Sequence, residues 1–361
     1  MPWNESYISK LEAHLAVKFP EMSSSYARSE AIMSRLSEIL GSALPDEASF
    51  VVFGSLARKE YTSGSDLDWS LVIDGRADAE HRTLELDLKR RIKESDEFKN
   101  PSPTGAFGAL VFGHELIHCI GGLADTNANL TRRLLLLLES AELVGMRSIS
   151  PRQQLMRGIL QRYFEEEANF PGKPFFPRFF LNDIVRLWRT IAVDYAAKNS
   201  ERGHEKWALR NAKLRFSRKL LYIAGLLLTY ETSLFQNSDL SPEQPLEFDS
   251  ENPQFSSTEH CYRAAQLTPL ELLARACLDP GLAIERKDVK RLFLAYDRFL
   301  GMLDSEIKRE ELARLSYEEA MSKTLFKEMR DLGHEFQEAI DGLFLNPATL
   351  LGELTRRYVT F

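Results

Sequence analysis

The sequence predicts a small α/β unit with a mixed sheet and flanking helices, followed by an all-α C-terminal domain. Two observations carry this. Strand-like runs are confined to the first part of the chain, and the periodic segments after Pro151 repeat at the helical interval. At 361 residues the chain is long enough for two domains or more. The expected division is N-terminal helices over 1–45, the α/β unit over 46–147 and the helical domain over 148–361.

Met22 to Leu44 carries Ile32, Met33, Leu36 and Leu40 on one helical face, and Pro45-Asp46-Glu47 ends it. Ser49 to Phe53 is a β-rich run that stops at Gly54-Ser55. Leu67 to Ile73 is a second, closed by the turn signal Asp74-Gly75. Ala79 to Phe98 returns to a helical, charged pattern. Ala106 to Ile120 is apolar and broken by glycine, which favours a strand. Asn127 to Val144 reads as a helix capped by Thr126 or Asn127. Beyond it, 151–167, 179–198, 206–230, 270–276, 286–321 and 322–343 favour helix. Phe235 to Ser257, rich in Pro, Ser, Asn and acid, reads as a loop.

Hydrophobic residues make up 44% and charged residues 27%, the balance of a protein with a real core. The formal net charge of −7 argues against a sequence-blind nucleic-acid binder. Cys119, Cys261 and Cys277 lie far apart with no zinc spacing, so reduced thiols are expected. The opening Met1-Pro2-Trp3-Asn4-Glu5 lacks a basic start and an apolar run, and no stretch approaches a membrane span. The expected location is the cytoplasm.

The chemistry concentrates in Phe53-Gly54-Ser55-Leu56-Ala57-Arg58 and Ser65-Asp66-Leu67-Asp68-Trp69. Residues i and i+2 of a strand face the same way, so Asp66 and Asp68 aim two hard oxygen ligands at one place. Such a pair suits Mg²⁺ (or Mn²⁺), which keeps waters and takes substrate phosphates as further ligands. Gly54 lets a phosphate approach the backbone, and the Ser55 hydroxyl and nearby N–H groups can donate to it. A bare Asp-x-Asp is common in solvated turns. The preceding Gly-Ser, the gap between them and the apolar strands on both sides make the combination more specific.

This segment resembles the nucleotidyltransferase superfamily that includes polymerase β, antibiotic nucleotidyltransferases and bacterial cyclic-dinucleotide synthases. Val111-Phe112-Gly113-His114, Asp125 and the run Leu134 to Gly145 look like PII uridylyltransferase and its relatives. The resemblance covers roughly 45–145. It implies an NTP substrate, held at Gly54, Ser55 and Arg58, with Asp66 and Asp68 as metal ligands. The acceptor hydroxyl it implies is a protein side chain, a small molecule or an RNA end. Relatives place a third carboxylate on the strand after the intervening helix. Here Phe107, Ala109 and Val111 occupy its early positions, and Glu115, which shares strand parity with Val111 and Gly113, is the candidate. The missing early acid leaves a nucleotide-binding regulator without turnover as the competing reading.

His114-Glu115-Leu116-Ile117-His118 is a literal HExxH, which on a helix would bind zinc as a peptidase does. Its glycine-rich flanks favour a strand, where the two histidines would stand about 13 Å apart. Position 124, where a third histidine would fall, is Ala124.

The helical domain carries a basic face. Phe180, Ile184, Leu187, Trp188, Ile191 and Tyr195 form an apolar stripe, with Asn182, Arg186 and Arg189 opposite. In the next helix Leu209, Phe216, Leu220, Ile223 and Leu227 face the core, with Asn211, Arg215, Arg218 and Tyr222 opposite. Lys213 and Ser217 lie one turn apart on the flank. Related enzymes use Lys and Ser on such a helix, so these two are the expected triphosphate contacts.

Overall fold

The computed structural model describes residues 2–41, 44–99, 110–143, 150–165, 176–201, 206–237 and 253–359. Two helices, α1 (Tyr7–Leu15) and α2 (Pro20–Leu40), precede strand β1 (Ala48–Phe53), the short helix α3 (Gly54–Ala57), β2 (Trp69–Ile73) and α4 (Ala79–Ser95). Then come β3 (Leu110–Phe112), α5 (Gly113–His118), α6 (Asn127–Leu138) and β4 (Ser140–Glu142). The rest is helical: α7 (Pro151–Glu165), α8 (Arg178–Glu201), α9 (Trp207–Lys213), a π-helical turn (Leu214–Arg218) and α10 (Lys219–Asn237). Finally α11 (Pro253–Ala264), α12 (Pro269–Leu278), α13 (Arg286–Asp304), α14 (Glu306–Arg314), α15 (Tyr317–Ala320), α16 (Thr324–Phe344) and α17 (Leu350–Tyr358) close the described chain.

The small mixed sheet has the order β3-β2-β1-β4. Val52 pairs with Trp69 and Ala48 with Ile73 in the antiparallel β1–β2 ladder, while β2 and β3 run parallel. Both central strands are buried on both faces. Phe50, Val52, Trp69, Leu71 and Ile73 join Leu36, Leu40, Leu88 and Ile92 in one core, against α2 and α4. Val51, Phe53, Val72 and Val111 face the other way, into the large core shared with α6, α7 and the later helices. Asp68 has the parity of Val72, so its side of the sheet is the one that meets the helical part.

Several expectations need correction. The strand expected over 106–120 is β3 followed by helix α5, with 101–109, including Phe107 and Ala109, outside the described residues. Gly113 packs closely here: a Cβ there would collide with the Leu155 side chain of α7, which would have to move. The helix expected over 127–144 stops at Leu138. Its cap is Thr126, whose hydroxyl accepts from Asn129 N at 3.1 Å. Residues 140–142 then form the unforeseen edge strand β4, pairing Phe53 with Ser140 and Val51 with Glu142. The expected helix 286–321 is three helices, because Ser305 and Ser316 each cap a new start. Pro253 to Ser257 is helical, although the expected loop included it. The three cysteines are free thiols, and no helix among the described residues is long and apolar enough to cross a membrane.

Candidate active site

The Gly-Ser turn and the acid pair meet at one corner of the sheet. The Phe53 amide donates to the Asp68 carbonyl at 2.9 Å, continuing the β1–β2 ladder past Trp69. Gly54 opens α3 at φ 66°, a left-handed conformation that favours glycine. A Cβ there would stand 2.8 Å from Asp68 Oδ2, so the turn and the carboxylate are in close contact. Ser55 is half-buried beside it.

Asp66 is exposed and Asp68 half-buried. Burial is the first cause that pushes the Asp68 carboxyl up to about 6; Arg218 and Lys213 oppose it, and Glu139 and Asp66 add to it. Acids crowded together favour a cation between them. Among the described residues no three His, Cys, Asp or Glu side chains are grouped to hold a metal alone.

Cations from distant sequence act electrostatically on this pair. Lys213, at the end of α9, is lowered to about 8, first by burial, then by Arg309 and Arg218, with Asp66 opposing. Arg218 ends the π-helical turn, half-exposed, its Nη1 donating to Glu139 Oε1 at 3.4 Å. Arg309 of α14 is half-buried and feels Asp66 directly. Lys213 and Asp66 thus act on each other electrostatically. Ser217 does not reach the same surface. It is 7% exposed, with its hydroxyl 3.5 Å from that of Tyr296.

Arg58 is also buried rather than open to a ligand. Its Nε donates to Glu60 at 2.9 Å and its Nη1 to Glu139, while the Tyr296 hydroxyl donates to Glu60 at 3.0 Å. Desolvation works against the Arg58 charge, and Glu60 and Glu139 more than offset it. This buried cluster ties α3 and the start of the edge strand to α13 and the π-helical turn. Removing one member of such a cluster costs more than the cluster contributes, because a buried charge is left unpaired.

Glu115 is exposed on α5, so the strand-parity argument for it as a third carboxylate fails. Glu139 is the acid that joins Asp66 in acting on Asp68. Because Phe53 pairs with Ser140, Glu139 comes next in register beside Gly54. Spacing marked Glu139 only as a possible further ligand to the HExxH pair; its place beside Gly54 depends on the unforeseen pairing of β4. The strand argument against HExxH fails as well: His114 and His118 share α5, with ring centroids 4.7 Å apart. Both rings are exposed, and no third ligand joins them among the described residues.

A strand, a glycine turn against an aspartate, and a second strand headed by an acid pair lie together within a segment that matches a known domain family. Residues 33–103 match the family model of a nucleotidyltransferase domain, and the chain carries that domain. The match takes in the last turns of α2, the Gly54-Ser55 turn, the Asp66-x-Asp68 pair and α4. Such a domain acts on a nucleoside triphosphate and moves its nucleoside monophosphate. No curated protein matches the chain.

Proposed function

We propose that this protein transfers a nucleoside monophosphate from an NTP to a hydroxyl acceptor and releases pyrophosphate. Asp66 and Asp68 would hold Mg²⁺ or Mn²⁺, and residues 46–147 would form the catalytic unit against the helical part, 148–361. The observation that carries this is the seating of Gly54 against Asp68, with Lys213, Arg218 and Arg309 acting electrostatically on the two aspartates.

The bound divalent cation would neutralise developing charge on the phosphates and favour the ionised form of the attacking hydroxyl. Gly54 and Ser55 receive the β- and γ-phosphates. Lys213 and Arg218 offset the charge that accumulates on the leaving pyrophosphate. The acceptor oxygen forms a bond to the α-phosphorus, the bond from that phosphorus to the β-bridging oxygen breaks, and the hydroxyl proton passes to solvent or a nearby base. Resemblance to PII uridylyltransferase supports a protein side chain as acceptor, ahead of a small molecule or an RNA end.

The test is pyrophosphate release from each of the four NTPs with Mg²⁺ or Mn²⁺, with and without candidate acceptors. Release that Asp68→Asn abolishes supports the reading. Nucleotide binding without release in any combination would assign the protein to nucleotide sensing instead.

A further inference from the structure

Thr62 to Ser65 lead directly into Asp66, and the conformation of this turn sets where that carboxylate stands. The turn is internally bonded: Ser65 N donates to Thr62 O and Thr62 N to Ser65 Oγ, each at 3.0 Å. It is also gripped from outside by residues almost 250 positions away. The Arg309 guanidinium donates to Thr62 Oγ1 at 3.1 Å and to the Gly64 carbonyl. It lies so close over Gly64 that a Cβ there would collide with it. Asp304 accepts from the Ser63 amide at 3.1 Å and from both nitrogens of the Arg28 fork at 2.6 and 2.9 Å. Arg28 also donates to the Tyr61 carbonyl at 3.2 Å.

The break between α13 and α14 makes this grip. Ser305 ends one helix and caps the next, so Asp304 and Arg309 reach the turn from either side of the elbow. An unbroken helix would place residues five apart about 140° from each other around its axis. Arg309 also carries its charge toward Asp66.

The geometry points to Arg309 as a positioning residue that, through its fork over Thr62 and Gly64, holds Asp66 in place for the divalent cation. This rests on the proposed nucleotidyl transfer. The mechanism is the one by which groups behind metal ligands tune affinity: they fix the ligand's orientation before the ion arrives. Arginine suits the task because its planar fork makes two directed bonds at once.

The test uses the full chain and four variants: Arg309→Ala, Arg309→Lys, Asp304→Asn and the α14 surface control Arg314→Ala. Free Mn²⁺ is followed by electron paramagnetic resonance in the presence of α,β-methylene analogues of the four NTPs. Analogue affinity without metal and thermal midpoint are measured alongside. Arg309→Ala should weaken Mn²⁺ binding about tenfold while its midpoint stays within about 3 °C of the parent. Metal-free analogue affinity should not change. Arg309→Lys should recover part of the loss, Asp304→Asn should lose less than Arg309→Ala, and Arg314→Ala should match the parent. Parental Mn²⁺ affinity in Arg309→Ala overturns the inference. So does an equal loss of metal-free affinity, which would make Arg309 a direct phosphate contact. If Arg309→Ala does not fold, parental Mn²⁺ affinity in both Arg309→Lys and Asp304→Asn overturns it. A parent chain that binds no Mn²⁺ with any analogue sinks the proposed function itself, and this inference with it.

Discussion

The chain carries two motifs of candidate metal donors, and the structure treats them differently. The Gly54-Ser55 turn with Asp66 and Asp68 is surrounded by residues from far along the sequence: Glu139, Lys213, Arg218 and Arg309. His114 and His118 share a helix face, yet their rings are exposed and no third ligand stands with them among the described residues. The difference teaches that a motif supplies donors, and that converging elements turn donors into a site. Two histidines one turn apart can chelate an ion, but a peptidase zinc centre needs three protein ligands and a protected open position. Under the proposed transfer two aspartates would need less, because a triphosphate would bring its own oxygens.

The strongest attempt to break this comparison is Asp68→Asn. It should lower pyrophosphate release by about a thousandfold or more, the scale on which loss of an essential metal carboxylate acts. Retention of more than a tenth of the rate would remove Asp68 from the chemistry. Next comes Gly54→Ala. The positive φ and the contact with Asp68 Oδ2 at 2.8 Å both oppose the new methyl. Denaturant unfolding should show a loss of about 1–2 kcal/mol, accompanied by a larger fall in nucleotide affinity. Unaltered affinity would show that the glycine serves the turn alone.

Arg218→Ala is smaller again. The half-exposed guanidinium should be worth about tenfold in kcat/KM for the NTP, and steady-state kinetics would read it. A change confined to the acceptor's KM would move Arg218 to the other substrate.

Asp297 sharpens the comparison from a different side. Like Asp68 it is raised to about 6, first by burial, but it accepts from the Met22 amide at 2.9 Å and joins α13 to α2. A perturbed acid is therefore not by itself a sign of chemistry. Because its folded value is raised, its contribution to stability is fully present below the unfolded carboxylate value of about 4 and is lost as pH rises through about 6. Asp297→Asn should flatten the fall in thermal midpoint between those pH values. A fall of the same steepness in both proteins would assign the dependence to other groups. The smallest effect is expected of His118→Ala: pyrophosphate release should stay within about twofold. Stoichiometric zinc in the parent that this variant loses would reverse the ranking of the two motifs.

The first part of the site was legible because its signals are local. The β-rich run into Gly54-Ser55, the spacing to Asp66 and Asp68 and the apolar strand after them follow from period-2 patterning and from what glycine permits. Lys213 was singled out by helical periodicity together with resemblance, and it acts electrostatically on Asp66. Glu115 was misplaced because an apolar run broken by glycine fits a strand or a buried helix equally well, and residues 113–118 are helical. Arg58 appeared in the motif as a ligand candidate, yet two buried carboxylates occupy it.

The sequence by itself determined the α/β unit, the helical part after it, the glycine turn and the acid pair. Each is encoded by neighbours within a few residues, where propensity and periodicity act. Tertiary structure decided which remote charges join them. Glu139 arrives through the pairing of β4 with β1, Arg218 through the π-helical turn, and Arg309 through the break at Ser305. Those placements depend on contacts between residues tens to hundreds of positions apart, and local patterning carries no record of such contacts.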